Sequence, residues 1–385
     1  MFDKSERLFP IKKKYIYLTH CGVSPLYSGA LEQEMEISRK HAENGLVAFK
    51  DYVGHLERLR SAAAQLLKTS ADNLAFMKNT TEGISLVANG YPFQKGDQII
   101  SYVHEYPANH YPWRLQAERG VELVLLPNRG ATGDAAAGRP CAWSMSDLEA
   151  KVTDRTRMIA LSHVQFVSGF AADLEQLGDF CRDRSIDLVI DAAQSLGCLP
   201  LYPEEHHIAA MAASGWKWLL GPVGTGLLYT SPELRARLRH VMAGAELMRQ
   251  GTDYLDHTWS PHSSGKRFEY STSPLSLASA LHACISEVHL RYGIENIKRE
   301  VLRLQDMILE ELDRDRFSPV VFDEPHRSGI LSVMCREDPG KLVKALEPKG
   351  VICSSRGGHL RLAPHFYNSE DEIQRAVSLL NSTRV

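Results

Sequence analysis

Between about residues 55 and 230, short apolar runs alternate with stretches whose apolar positions recur at helical spacing. Gln98–Val103, Glu122–Leu126, Met158–Val164, Leu188–Ile190 and Gly226–Tyr229 have the length and bounded apolar character of buried strands. Asp173–Ser185 instead brings Leu174, Leu177, Phe180 and Cys181 onto one helical face. This alternation predicts an α/β fold with a mostly parallel sheet, helices on both faces, and ligands beyond the carboxyl ends of the strands. After about residue 260 the pattern changes. Long helical stretches (Ser276–Tyr292 and Ile294–Arg314) precede strands near Ile330–Met334 and Leu360–Ala363, then a closing helix from Glu370. The expected division is a large domain over residues 15–258 and a smaller α+β domain from 1–14 plus 259–385. Gly130 to Gly138 is expected to be an exposed loop.

Composition narrows the function classes. The 385 residues are long enough for two packed units, and 44 Lys and Arg against 47 Asp and Glu give a net charge of -3. With no long run of either sign, neither nucleic acid nor an anionic membrane surface is expected as the main partner. No apolar stretch has spanning length and the N-terminal segment has no signal-peptide pattern, so a cytoplasmic location is expected. Seven scattered cysteines without a CxxC pair predict neither a disulfide framework nor a metal site.

The chemistry concentrates at Ala213–Tyr229, ASGWKWLLGPVGTGLLY, where one lysine lies among aromatic and small residues before a strand. An amine that must bond an aldehyde cofactor needs partial desolvation, which lowers its pKa and frees its lone pair. Lys217 is therefore a candidate, against the plainer reading of a surface lysine. Twenty-six residues upstream, Asp191 ends the apolar run in LVIDAAQS. A carboxylate at a strand tip could keep a pyridine nitrogen protonated, cap the next helix, or hold a nucleotide ribose. The last option suits a dehydrogenase, but GPVGTG at Gly221–Gly226 has the wrong spacing for a dinucleotide loop and leads into a strand. In KNTTEGISLV, Asn79 and Glu82 have capping-box spacing, and the helix start offers N–H groups and hydroxyls to a phosphate.

Taken in order, NTTEGISLVA, HEYPANHYPW, SHVQFVSG, DAAQS, SGWKWLLGPVGTGLLY and RFEYST resemble fold-type I enzymes of pyridoxal 5'-phosphate (PLP), in the class V aminotransferase and cysteine desulfurase-like group. The resemblance runs from Tyr15 to about Tyr367. It implies that Lys217 forms the internal aldimine, Asp191 pairs with the pyridine nitrogen, Gln194 bonds the phenolic oxygen and His163 lies near it. Tyr106 would stack on the ring, while Thr80, Thr81 and Ser214, helped by Trp216, would hold the phosphate. Thr272 would reach the phosphate of a second subunit, which implies a homodimer. Arg361, in SSRGGHLRLAPHFYN, is the implied carboxylate fork, with Arg356 as competitor. Trp216, Phe166 and Ser271 depart from the group's usual residues.

The resulting expectation is a PLP enzyme acting at the α-carbon of a small amino acid by transamination, β-elimination or epimerisation. The alternatives are a cysteine desulfurase or selenocysteine lyase using Cys353, a nucleotide-binding dehydrogenase, and a non-catalytic dimeric relative. Cys353 lies only eight residues before Arg361 and is expected to be a strand residue of the core rather than a nucleophile.

Overall fold

A computed structural model describes residues 1–130 and 139–385, so most of the expected Gly130–Gly138 loop lies outside the described residues. The large sheet has seven strands in the spatial order Leu74–Met77, Gly226–Thr230, Ile208–Ser214, Asp187–Asp191, Thr156–Ser162, Gln98–Tyr102 and Glu122–Leu126. Only Gly226–Thr230 runs against its neighbours. The central strands are buried along nearly their whole length, which explains why they are continuous apolar runs rather than alternating ones. One helical layer, including Tyr52–Leu67 and Leu174–Asp183, covers one face through Leu59, Leu67 and Leu177. Thr80–Gly90 covers the other through Ile84 and Val87.

A four-stranded antiparallel sheet (Ser354–Arg356, His359–Leu362, Leu331–Cys335, Phe317–Pro319) forms the second centre. Helices Ile294–Glu311, Pro339–Leu346 and Glu370–Ser382 pack on it around Leu304, Leu342 and Val377. The N-terminal segment joins this part: Ile16–Tyr17 pairs in parallel with Val351–Ile352. The core divides later than residue 258. Helix Leu275–Ala283 sends Ala278 and Leu281 into the core of the large sheet, because its apolar face continues the layer begun by Tyr52–Leu67. The chain then passes through a π-helical turn, Cys284–Leu290, before Ile294–Glu311 turns toward the small sheet.

Two strands of the large sheet, Leu74–Met77 and Ile208–Ser214, are additional to those expected from the pattern. Among the described residues, no helix is long and apolar enough to cross a membrane.

Candidate active site

The carboxyl ends of the central strands open into a cavity of about 670 Å³, within the range of small-molecule sites. Its floor follows from strand register. Asp191 pairs with Ser162 on one side and Ala212 on the other, so the tips of three adjacent strands meet there. Lys217 follows the strand Ile208–Ser214 after a tight turn that only glycine fits: a Cβ on Gly215 would lie 2.2 Å from Thr225 Oγ1. The loop beyond Lys217 is clamped from behind. Trp218 is fully buried, and its carbonyl accepts from His289 Nε2 at 3.0 Å and His365 Nε2 at 3.1 Å.

Burial lowers the Lys217 amine below its ordinary pKa, and the Asp191 charge opposes that shift. Burial likewise raises the Asp191 carboxyl, against a hydrogen bond from Ala193 N at 2.8 Å and the positive charge of Lys217. Lys217 Nζ stands 5.6 Å from the centre of the Tyr106 ring, which packs edge-on against Phe166. Across the cavity lies the start of helix Thr80–Gly90. Asn79 caps it by accepting from Glu82 N at 2.8 Å, but Glu82 reaches Lys78 N rather than closing the reciprocal box. Gly83 lets this helix approach the sheet, since a Cβ there would sit 2.9 Å from Ala212 Cβ. The first turn therefore lies beside Ser214, with Thr80 Oγ1 donating to Ser214 Oγ at 3.4 Å.

The opposite wall comes from distant segments. Arg361 is 3% exposed; its Nη1 donates to the Phe166 carbonyl at 2.6 Å and its Nη2 to Ser354 Oγ at 3.1 Å, while Nε has no partner among the described residues. Arg356 lines the mouth and is exposed. Cys21, from the N-terminal segment, lines the same cavity with Sγ 3.9 Å from Ser354 Oγ, and its carbonyl accepts from Gln194 Nε2 at 2.9 Å.

Lys217, Asp191, Thr80, Thr81, Tyr106, Gln194, Ser214, Trp216 and Arg361 thus converge as anticipated. Gln194 is more engaged than expected, because Oε1 also accepts from Trp218 Nε1 at 3.2 Å. Three residues fall elsewhere. His163 does not line the cavity: Ser162 and Val164 do, and alternation sends the imidazole into the interior, where burial drives its pKa down to about 3. Cys353 faces away for the same reason. Ser354 turns its hydroxyl to Arg361 and Cys21, so its neighbour packs into the small-sheet core, where burial pushes the thiol up to about 12. Thr272 is exposed and lines a separate cleft beside Lys78 and Tyr270.

Sequence reasoning missed Glu105, which accepts from Ser162 N at 2.8 Å and from Ser162 Oγ. Burial and the nearby Asp191 charge raise its carboxyl to about 7. Its position one residue before Tyr106 was the available signal. His289 and His365 were missed as well, since their clamp exists only in three dimensions.

An amine with a lowered pKa, a buried carboxylate and hydroxyls at a helix N-terminus, all lining one cavity, match the aldehyde, pyridine nitrogen and phosphate of PLP. Fold and site together define a fold-type I PLP enzyme. The chain belongs to the class V aminotransferase family, whose model matches residues 16–378. A cysteine desulfurase of Dickeya dadantii is 32% identical over 85% of this chain and 80% of its own length. A probable cysteine desulfurase of Methanothermobacter thermautotrophicus is 26% identical over 96% of this chain and 94% of its own. Among solved structures, a C-DES variant with glycine covalently linked to its PLP cofactor superposes with a TM-score of 0.88 at 22% identity, covering 98% and 99% of the two chains.

Proposed function

We propose that the chain binds PLP through Lys217 and acts at the α-carbon of a small amino acid, by transamination, β-elimination or epimerisation. The observation that carries this reading is that Lys217 and Asp191 line one cavity and feel each other's charge. Bound PLP supplies an electron-withdrawing ring beside the substrate α-carbon. The Asp191 carboxylate would hold a proton on the pyridine nitrogen. Thr80, Thr81 and Ser214 would take the phosphate with the backbone N–H groups of the helix start, and Tyr106 and Trp216 would hold the ring.

Arg361 binds the substrate carboxylate through its unpaired Nε–H and a remaining Nη hydrogen, a planar fork suited to two oxygens. Fixing the carboxylate would orient the substrate α-carbon toward Lys217. With PLP bound, the Lys217 amine would be the group placed to take the substrate α-proton. Its burial keeps it neutral at working pH more readily than a solvated lysine. Thr272 lies outside the cavity and serves a second copy of the chain, which makes the enzyme a homodimer; a cytoplasmic location completes the reading.

A second reading, sulfur removal from cysteine, is favoured by Cys21 in the cavity and by relatives named as desulfurases. Cys21 Sγ would take the substrate sulfur as a persulfide, and the substrate carbon, left with the electron pair and a proton, would leave as alanine. Incubation with an amino-acid panel, with and without 2-oxo acids, separates the reactions. Transamination requires the oxo acid, elimination releases ammonia without it, and epimerisation changes only chirality. Under the second reading Cys21→Ala stops sulfane release and Cys353→Ala does not. Inertness of the PLP-loaded protein toward every amino acid would defeat both readings.

A further inference from the structure

Ser354–Arg356 pairs antiparallel with His359–Leu362, placing Ser354 opposite Arg361 and Arg356 opposite His359. Strand side chains alternate, so Arg356, two residues from Ser354, shares the sheet face that carries Arg361 into the cavity. Such diagonal neighbours lie about 7–8 Å apart. The turn that fixes this spacing is docked against the body of the protein. Gly357 and Gly358 have φ of 55° and 80°, and a Cβ on Gly357 would meet Val167 Cγ1 at 3.0 Å.

Charge on this wall is unbalanced. Arg361 contacts only a carbonyl and a hydroxyl, and Arg356 has no acidic partner among the described residues. Among the described residues Asp191 is the single acid lining the cavity, and it lies at the sheet end. One α-carboxylate neutralises Arg361 and leaves Arg356 open beside it.

Resting on the function proposed above, we infer that Arg356 is a second anion site and that the preferred substrate is an α-amino acid whose side chain ends in a carboxylate. The deep guanidinium takes the α-carboxylate and the one at the mouth takes the side-chain end. A neutral side chain leaves Arg356 unsatisfied, so it is the specificity-determining residue.

The test compares kcat/KM for L-glutamate, L-aspartate and L-alanine in wild type, Arg356→Gln and Arg361→Gln. It is joined by calorimetric titration of glutarate and butyrate into the same proteins with and without PLP. Wild type should prefer an acidic amino acid, and glutarate should bind more tightly than butyrate. Arg356→Gln should shrink both preferences by about tenfold or more, the scale of a lost charge-assisted contact. Arg361→Gln should weaken all ligands with little change in the ratios. Equal wild-type affinity for glutarate and butyrate, or an Arg356→Gln effect that is uniform across ligands, would overturn the inference. Because glutarate is titrated into the PLP-free protein too, this failure is distinguishable from a failure of PLP to bind.

Discussion

The two ends of the cavity are built differently. The cofactor end rests on adjacent strand tips of one sheet and the start of a helix packed against it, with Lys217 and Asp191 fixed by register and close backbone contact. The substrate end joins Cys21 from the N-terminal segment, Phe166 from beyond a large-sheet strand, and Arg356 and Arg361 from the small sheet. The first end is a rigid platform for common chemistry. The second is an assembly of segments that can vary independently, which is where the proposed specificity would reside.

This contrast is broken most severely at Lys217. Lys217→Ala should cost about 10²–10⁴-fold in turnover, the range for loss of a positioned acid–base group, measured under saturating PLP and substrate. Asp191→Asn comes next. Removing one partner of a buried charge pair costs about 2–5 kcal/mol, so PLP affinity should fall accordingly in a fluorescence titration. Arg361→Gln belongs to the other end. It should raise KM by the equivalent of about 1.5–3 kcal/mol while leaving PLP affinity within about twofold. A large loss of PLP affinity in that variant would erase the distinction between the two ends.

The smallest effect concerns Glu105, which props the Ser162 strand tip. Its carboxyl titrates at about 7 in the folded protein, above its ordinary value of 4.5. The folded state therefore holds the proton more tightly, and the stability linked to it is whole below the ordinary value and declines as pH rises to about 7. Glu105→Gln should flatten that decline. Thermal melts of both proteins across this window should converge at low pH and separate, in favour of the variant, toward neutrality.

The cofactor end was legible in sequence because its motifs are local. A lysine before a glycine turn, an aspartate ending an apolar run, and a capped helix start each fit within about ten residues. The strand Ile208–Ser214 was less visible, because IAAMAAS is buried throughout and its alanines give neither period-2 alternation nor β-branched character. His163 illustrates the limit of parity. A run names a strand but not which alternate side chains face the cavity, and here Ser162 and Val164 do. Parity also separates Cys353 from Arg361, and in that case the short spacing already pointed to a core residue. Cys21 and the His289–His365 clamp depend on contacts between residues far apart in the chain, which no local pattern encodes, and Glu105 was marked only by its place before Tyr106.

The most direct measurement is the visible absorption spectrum of the purified protein with PLP, followed by borohydride reduction and peptide mapping, alongside Lys217→Ala. The account predicts an absorption band from lysine-bound PLP and a reduced adduct on Lys217 that is absent from the variant. No band and no adduct in the wild type, or an adduct on a different lysine, would contradict it.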